Sequence, residues 1–325
     1  MLKNFIADCH CRGLSPQTIA TYRSYIAHFL QVLEKDPVKV DTDDLRIFLT
    51  HLRNKRYAVG KQNRQGVATS TLCSYFSALS SFYDWLVWEQ KISTNPVIPF
   101  RKRYLRLSRQ RNGENSRQLI SVKQMKDLFT LAREDLLALA LMTFLAKTGL
   151  RKGELLAMNV QDLDFLHGEF IVPAKAKRSS RLGFLDSETI LILQEYLEWR
   201  ESRAKCDALW ISSTGQRMHK DTPYEIVTYY AGLLGIHDPR GPIIRKFTPH
   251  CFRHFFTTHL RRSGMSREFR MELRGDSIKD AMDIYDHIDR EELRKAYLKH
   301  VPKFDLHQNT LIAFGDIHDN SIGAL

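Results

Sequence analysis

The residues best suited to chemistry lie in one short stretch, Thr248-Pro249-His250-Cys251-Phe252-Arg253-His254-Phe255-Phe256-Thr257-Thr258-His259-Leu260. Pro249 sits where a helix can begin, because its missing N–H is one that a first turn leaves unpaired. Phe252, Phe255, Phe256 and Leu260 then recur at helical spacing and form a face to bury. His250 and Arg253, three apart, fall on a common face. An arginine fork and an imidazole suit a phosphate group. Further cations are available elsewhere: Arg151 near the start of a helix, and Lys175 and Lys177 on a basic turn. A lone arginine reads as a surface charge, so the set matters more than any member. His250 and His254, four apart, have the spacing of metal ligands, but Cys251 and Phe252 stand where a zinc-protease motif requires glutamate. No carboxylate cluster suggests a two-metal nuclease. The residues by themselves describe a helical protein that binds phosphodiesters.

The elements that must position these groups follow from periodicity. Residues 1–100 read as helical throughout. Ser15-Pro16 caps a helix whose apolar residues run from Ile19 to Leu33, and Asp41 or Thr42 caps a second with Leu45, Phe48, Leu49 and Leu52. The polar, basic, glycine-containing stretch 54–66 reads as a loop. Thr69 or Ser70 opens a third helix, whose aromatic stripe is read as bundle core rather than a platform for stacked bases. After Ser93-Thr94-Asn95-Pro96, the span 100–117 holds Arg101, Lys102, Arg103, Arg106, Arg109, Arg111 and Arg117. It is read as a linker that also lies along a phosphate backbone. The sequence thus divides into 1–100, a basic linker 101–117, a second domain 118–304 and a tail 305–325.

In the second domain Ser121 caps a helix, and an apolar helix from Asp135 to Lys147 should be buried on most sides. Gly149 stops it and Arg151 stands at the start of the next. The period then changes to two: Phe170-Ile171-Val172 and Arg181 to Leu185 are strands of an antiparallel hairpin around the basic turn 175–180. Further helices span 187–202 and 223–234. Arg274-Gly275-Asp276-Ser277 reads as a turn before a short helix that carries Tyr285, and a charged helix, 290–299, closes the ordered part.

Composition limits the partners. The formal charge of +12 favours nucleic acid, with an anionic membrane surface as the weaker reading. The N-terminus lacks the apolar core of a signal peptide, and the run from Leu136 to Ala146 is too short to span a bilayer. Five scattered cysteines imply a reducing cytoplasm rather than a disulfide framework. Cys9-His10-Cys11 is half a metal site with no second pair to complete it.

The order Arg151, Lys175, His250-x-x-Arg253, Tyr285 resembles the tyrosine recombinase (phage integrase) family, which includes Xer-type resolvases and integrases. Thr148-Gly149-Leu150-Arg151-Lys152-Gly153-Glu154-Leu155 is similar to its first-arginine box. His250-Cys251-Phe252-Arg253-His254 resembles the second box, and Ile284-Tyr285-Asp286-His287 the box of the nucleophile. Leu14 to Tyr22, Leu72 to Tyr83 and Asn95-Pro96 resemble its core-binding domain, so the likeness covers nearly the whole chain. It implies a mainly α fold: an all-α, SAM-like helical bundle and an α+β catalytic domain with a small antiparallel sheet, closed as a C-shaped clamp on DNA. It also implies the chemistry. Tyr285 attacks the scissile phosphorus to give a 3′-phosphotyrosyl link. Arg151, Arg253 and His250 stabilise the charge that builds on the phosphate, and Lys175 (or Lys177 on the same turn) protonates the leaving 5′ oxygen. His254 supports by hydrogen bonding or packs.

No ATP, metal or other cofactor is implied. The implied partners are paired DNA sites and a tetramer of the chain on two duplexes, monomeric or dimeric when free, with the last helix and tail docked on a neighbour. One position departs from the family, where His or Trp usually follows the glycine that is here Gly275. Asp276 either is protonated or turns to orient a catalytic arginine or histidine, and as a plain cap it would do neither. The competing expectations are a topoisomerase IB or resolvase-like strand transferase and a DNA-binding relative in which Asp276 marks lost catalysis.

Overall fold

In the computed structural model, residues 1–59, 62–105, 118–174, 180–276 and 288–306 are described. They fall into two units, Met1–Gln110 and Arg111–Leu325.

The first unit is built from α1 (Leu2–Cys11), α2 (Pro16–Leu33), α3 (Thr42–Asn54), α4 (Thr69–Trp88) and α5 (Val97–Tyr104). Its caps follow from the sequence. The Ser15 hydroxyl accepts from the Thr18 N–H, and Asp41 with Asp44 forms a reciprocal capping box. The apolar stripes of α1 to α4 meet in a core where Phe5, Phe29, Phe48, Phe76, Phe82 and Tyr83 are fully buried. The α4 stripe is therefore spent on packing, while Trp88 at its end stays 81% exposed.

Two features differ from the sequence reading. Residues expected to form a loop include an antiparallel hairpin, β1 (Arg56–Val59) and β2 (Gln62–Gln65). The stretch lacks apolar alternation, so only backbone pairing defines it. Its base is tied to α3, with the Gly66 N–H donating to the Lys55 carbonyl and the Val67 N–H to that of Leu52. The helical part also runs past residue 100. Residues 97–104 form α5, whose Val97 and Phe100 are buried in the first unit and whose Arg101 donates to the Ser77 hydroxyl at 2.9 Å. Residues 106–117 lie outside the described residues.

The second unit begins with α6 (Val122–Leu131), capped by Ser121, and α7 (Leu136–Thr148), capped by Asp135. Every residue of α7 from Ala138 to Thr148 is buried, as its apolar run demands. Next come α8 (Lys152–Ala157) and a three-stranded antiparallel sheet in the order β3 (Leu163–Asp164), β4 (Glu169–Val172), β5 (Arg181–Phe184). Phe170 faces Gly183 in the register, and a Cβ on Gly183 would lie 2.2 Å from the Phe170 ring. Gly183→Ala is expected to cost roughly 1–3 kcal/mol through overpacking, visible as a lower urea midpoint. The remaining helices are α9 (Ser187–Glu201), α10 (Thr222–Leu233), α11 (Pro249–Arg262), α12 (Arg267–Arg274) and α13 (Arg290–His300).

Two details of this unit were not anticipated. Lys147, which ends the apolar run of α7, is fully buried and ion-paired to Asp186 and Glu188. The helix α13, read for its outward role only, buries Leu293, Tyr297 and the following Val301 in its own unit, against Phe184, Phe256, Leu260, Met265 and Leu273. Among the described residues no helix is long and apolar enough to cross a membrane.

Candidate active site

The site is assembled where three helix ends and one strand meet. The first end is the C-terminus of α7. Gly149 there has φ +62°, and a Cβ on it would lie 2.4 Å from the Phe256 ring, so both backbone and space require glycine. Leu150 is buried, and Arg151 is the N-cap of α8. Its backbone N–H donates to Glu154 Oε2 at 2.9 Å and its Nη1 to Glu154 Oε1 at 3.1 Å.

The second contribution comes from α11. Arg253 is only 3% exposed. Its Nη1 donates to the Gly149 carbonyl at 2.9 Å and its Nη2 to the Arg274 carbonyl at 2.8 Å. Arg151 Nη1 reaches the same Arg274 carbonyl at 3.3 Å. That carbonyl belongs to the last turn of α12, where the helix leaves acceptors unpaired and carries partial negative charge. Two guanidinium groups satisfy it. Burial pulls the Arg253 pKa down to about 10, assisted by the charges of Arg151 and Arg274 and opposed by Asp276 and Glu154. The group is still a cation at neutral pH.

Asp276 follows the left-handed Gly275 that ends α12. Its Oδ1 accepts from Arg151 Nη2 at 3.2 Å and from Arg253 Nη2 at 3.0 Å. Its Oδ2 lies 3.3 Å from Arg274 Nε. Of the alternatives raised by the sequence, the geometry is that of a carboxylate turned onto the arginines.

A second ion pair braces the first. Arg181, at the start of β5, grips Glu154 with both Nη atoms, at 3.2 and 3.1 Å. Burial works against the charge of Glu154. The hydrogen bonds from Arg181 and the Arg151 backbone, with the charges of both arginines, outweigh it and hold the carboxyl down at about 2, against an ordinary 4.5. A depressed carboxyl contributes stability that is complete above about pH 4.5 and is lost as pH falls towards 2. Glu154→Gln is expected to remove up to about 3 kcal/mol of that acid-dependent stability. Unfolding titrations at pH 7 and pH 3 check this: the wild type loses stability between them and the variant loses less.

The structure thus brings together Arg151, Arg253 and Asp276. His250 and His254 are exposed on α11, one helical turn apart, with their rings 4.8 Å from each other. Among the described residues no three of His, Cys, Asp or Glu are gathered as metal ligands. Lys175, its alternative Lys177, and Tyr285 lie outside the described residues. Sequence reasoning overlooked Arg181 and Arg274. A signal for Arg181 existed, since a buried Glu154 needs a cation besides Arg151. A Cβ on Gly275 would lie 2.7 Å from Arg181 Nη1, which ties that glycine to the same brace.

The arrangement is a polarised anion clamp: two guanidinium groups are fixed by backbone carbonyls and converge on one oxygen atom. Residues 118–292 match the model of the phage integrase family, and residues 1–92 that of the phage integrase N-terminal SAM-like domain. The chain is 29% identical over 301 residues to the tyrosine recombinase XerC of Herpetosiphon aurantiacus, covering 87% of this chain and 89% of that protein. It is 27% identical over 299 residues to XerD of Oceanobacillus iheyensis, covering 90% and 94%. Among solved structures, a lambda integrase dimer bound to a core site aligns with a TM-score of 0.63 and 17% identity, over 89% of this chain and 97% of that one. The XerH site-specific recombinase bound to a palindromic difH substrate aligns with a TM-score of 0.62 and 19% identity, over 88% and 80%. At such identities the structural likeness concerns the fold.

Proposed function

Because the chain belongs to the phage integrase family and is a tyrosine-type site-specific recombinase, we propose that Tyr285 cleaves DNA at paired sites by forming a 3′-phosphotyrosyl link. The protein binds DNA. The observation that carries the reading is the convergence of Arg151 Nη2 and Arg253 Nη2 on one acceptor oxygen, at 3.2 and 3.0 Å. Donors held in advance where charge develops stabilise a phosphoryl-transfer transition state without reorganising during the step.

The remaining roles follow from the chemistry. A phenol with a reference pKa of about 10 is a weak nucleophile and needs a positive field, which the two arginines supply. His250, exposed on the same helix as Arg253, adds a donor to the phosphate. Lys175 protonates the departing 5′ oxygen as general acid. Glu154 with Arg181 keeps Arg151 in place. The covalent link conserves the energy of the broken bond, so a new 5′ hydroxyl can reverse the attack without ATP. Exchange between two duplexes takes four protomers, assembled on DNA in the cytoplasm from monomers or dimers. The first unit supplies a second DNA-binding surface. A catalytically silent DNA-binding protein is not favoured, because Asp276 leaves both arginines in place.

The test uses duplex sites taken from inverted repeats flanking the coding sequence. One strand is nicked beside the cleavage position so that the released end diffuses away. Wild-type protein is expected to accumulate as a covalent protein–DNA adduct on a denaturing gel, and Tyr285→Phe is not. Equal absence in both, on DNA that both bind, would overturn the proposal.

A further inference from the structure

We propose that in the DNA-free protein Asp276 occupies the place of the scissile phosphate, as a built-in competitor that must leave the clamp before DNA is cut. The proposal rests on the preceding reading that Arg151 and Arg253 bind that phosphate. It goes further by assigning the carboxylate a site, a competing ligand and a route out.

Three observations carry it. First, both Nη2 atoms converge on a single atom, Asp276 Oδ1. A carboxylate oxygen and a non-bridging phosphodiester oxygen are the same kind of acceptor for an arginine fork. Second, the clamp's other hydrogen bonds tie the arginines to the protein's own frame. Arg253 Nη1 is held by the Gly149 carbonyl, and the Arg274 carbonyl takes a hydrogen bond from each arginine. Arg151 Nη1 also holds Glu154. Releasing Arg253 Nη1 would take that bond from the Gly149 carbonyl in the buried turn, and releasing Arg151 Nη1 would weaken the bracing of Glu154 and of the Arg274 carbonyl, both of which are costly. The bonds to Asp276 can be exchanged for bonds to an incoming anion without such a loss. They also lie on the solvent side of the clamp, where the side chains of Asp276 and Arg151 are 27% and 29% exposed and that of Arg253 is 4% exposed.

Third, the carboxylate has somewhere to go. Its Oδ2 already lies 3.3 Å from Arg274 Nε, and the Arg274 side chain is 32% exposed. A rotation that gives up Oδ1's two bonds leaves Asp276 paired with Arg274 alone. If the carboxylate stayed, two negative groups would share one pair of donors a few ångströms apart, which electrostatics opposes. Arg274 is therefore the counter-ion that receives Asp276 when phosphate takes its place.

The consequence is measurable without a cognate DNA site. Full-length wild type, Asp276→Asn and Asp276→Asn/Arg151→Gln are titrated with inorganic phosphate, with ionic strength balanced by chloride. Binding is read by calorimetry and by the shift in melting temperature. Asparagine keeps the size and one acceptor oxygen but removes the competing charge. The expected result is phosphate affinity about tenfold higher in Asp276→Asn than in wild type, a gain that disappears when Arg151 is also replaced. If Asp276→Asn fails to fold, judged by circular dichroism, Asp276→Ser takes its place with the same expectation. Arg151-dependent affinity that is equal in wild type and variant, or weaker in the variant, would overturn the competitor: phosphate and carboxylate would then coexist and Asp276 would be a fixed positioning residue. Phosphate binding that ignores Arg151 in every variant would overturn the phosphate clamp itself.

Discussion

Replacing Arg253 by lysine is expected to slow single-turnover strand cleavage by about 10²–10³-fold, the usual cost of removing one preorganised donor from a developing oxyanion. The charge is retained, so electrostatic attraction to DNA changes little. What is lost is the fork. One Arg253 side chain now reaches the Gly149 carbonyl, the Arg274 carbonyl and Asp276 Oδ1. An ammonium head is a point donor on a flexible stem and cannot span all three. A buried Gly149 carbonyl left unpaired costs about 1–3 kcal/mol, so a lower unfolding midpoint should accompany the slower cleavage. Cleavage measured at saturating DNA separates the two effects, because weaker folding lowers the active fraction while a lost donor lowers the rate constant. A rate constant within a few-fold of wild type would contradict the assignment of Arg253.

The second large effect concerns stability. Lys147→Ala is expected to destabilise the second unit by roughly 3–5 kcal/mol, the cost of stranding buried charge. Lys147 is fully buried, and its partners Asp186 and Glu188 are each only slightly exposed. Both acids also hold backbone N–H groups in place. Asp186 caps α9 through the Thr189 N–H, and Glu188 accepts from the backbone N–H groups of Phe304 and Leu306. Neutral amides at 186 and 188 keep acceptor oxygens, so Lys147→Met combined with Asp186→Asn and Glu188→Gln should regain much of the loss. Guanidinium unfolding of the single and triple variants provides the comparison. A loss below about 1 kcal/mol for Lys147→Ala would mean the pair is screened like a surface one.

Several of these features could be inferred before any coordinates. Ser15, Asp41, Ser121 and Pro249 mark helix starts because caps are chemistry local to a few residues. The stripes of α2, α3 and α4 define their buried faces because a period of 3.6 survives in sequence. Gly149 and Arg151 were identifiable for the same reason: a helix stop followed by a cap lies within one short motif. The hairpin at 56–65 was not, since it lacks apolar alternation and its pairing resides in the backbone. Lys147 read as the polar end of an apolar run, because its partners lie some forty residues away. Arg181 and Arg274 escaped notice for a similar reason. Each acts through a residue brought near only by folding, Arg181 through Glu154 and Arg274 through its carbonyl and Asp276. The family position of Asp276 identified it as a departure, but its bonds to both arginines follow from where α12 ends.

The attachment of Phe304 and Leu306 to Glu188 bears on how the molecule is made. Phe304 packs against the rings of Phe129 and Phe255, and Tyr297 donates to the Lys147 carbonyl. The interior of the second unit therefore includes residues as far along the chain as Phe304, whereas the buried aromatic residues of the first unit are all in place by Phe100. On the ribosome, the first unit can acquire its structure during elongation, while the second waits for residue 306 to emerge. Guanidinium groups and counter-ions thus lock together after the bundle that precedes them in the chain has formed.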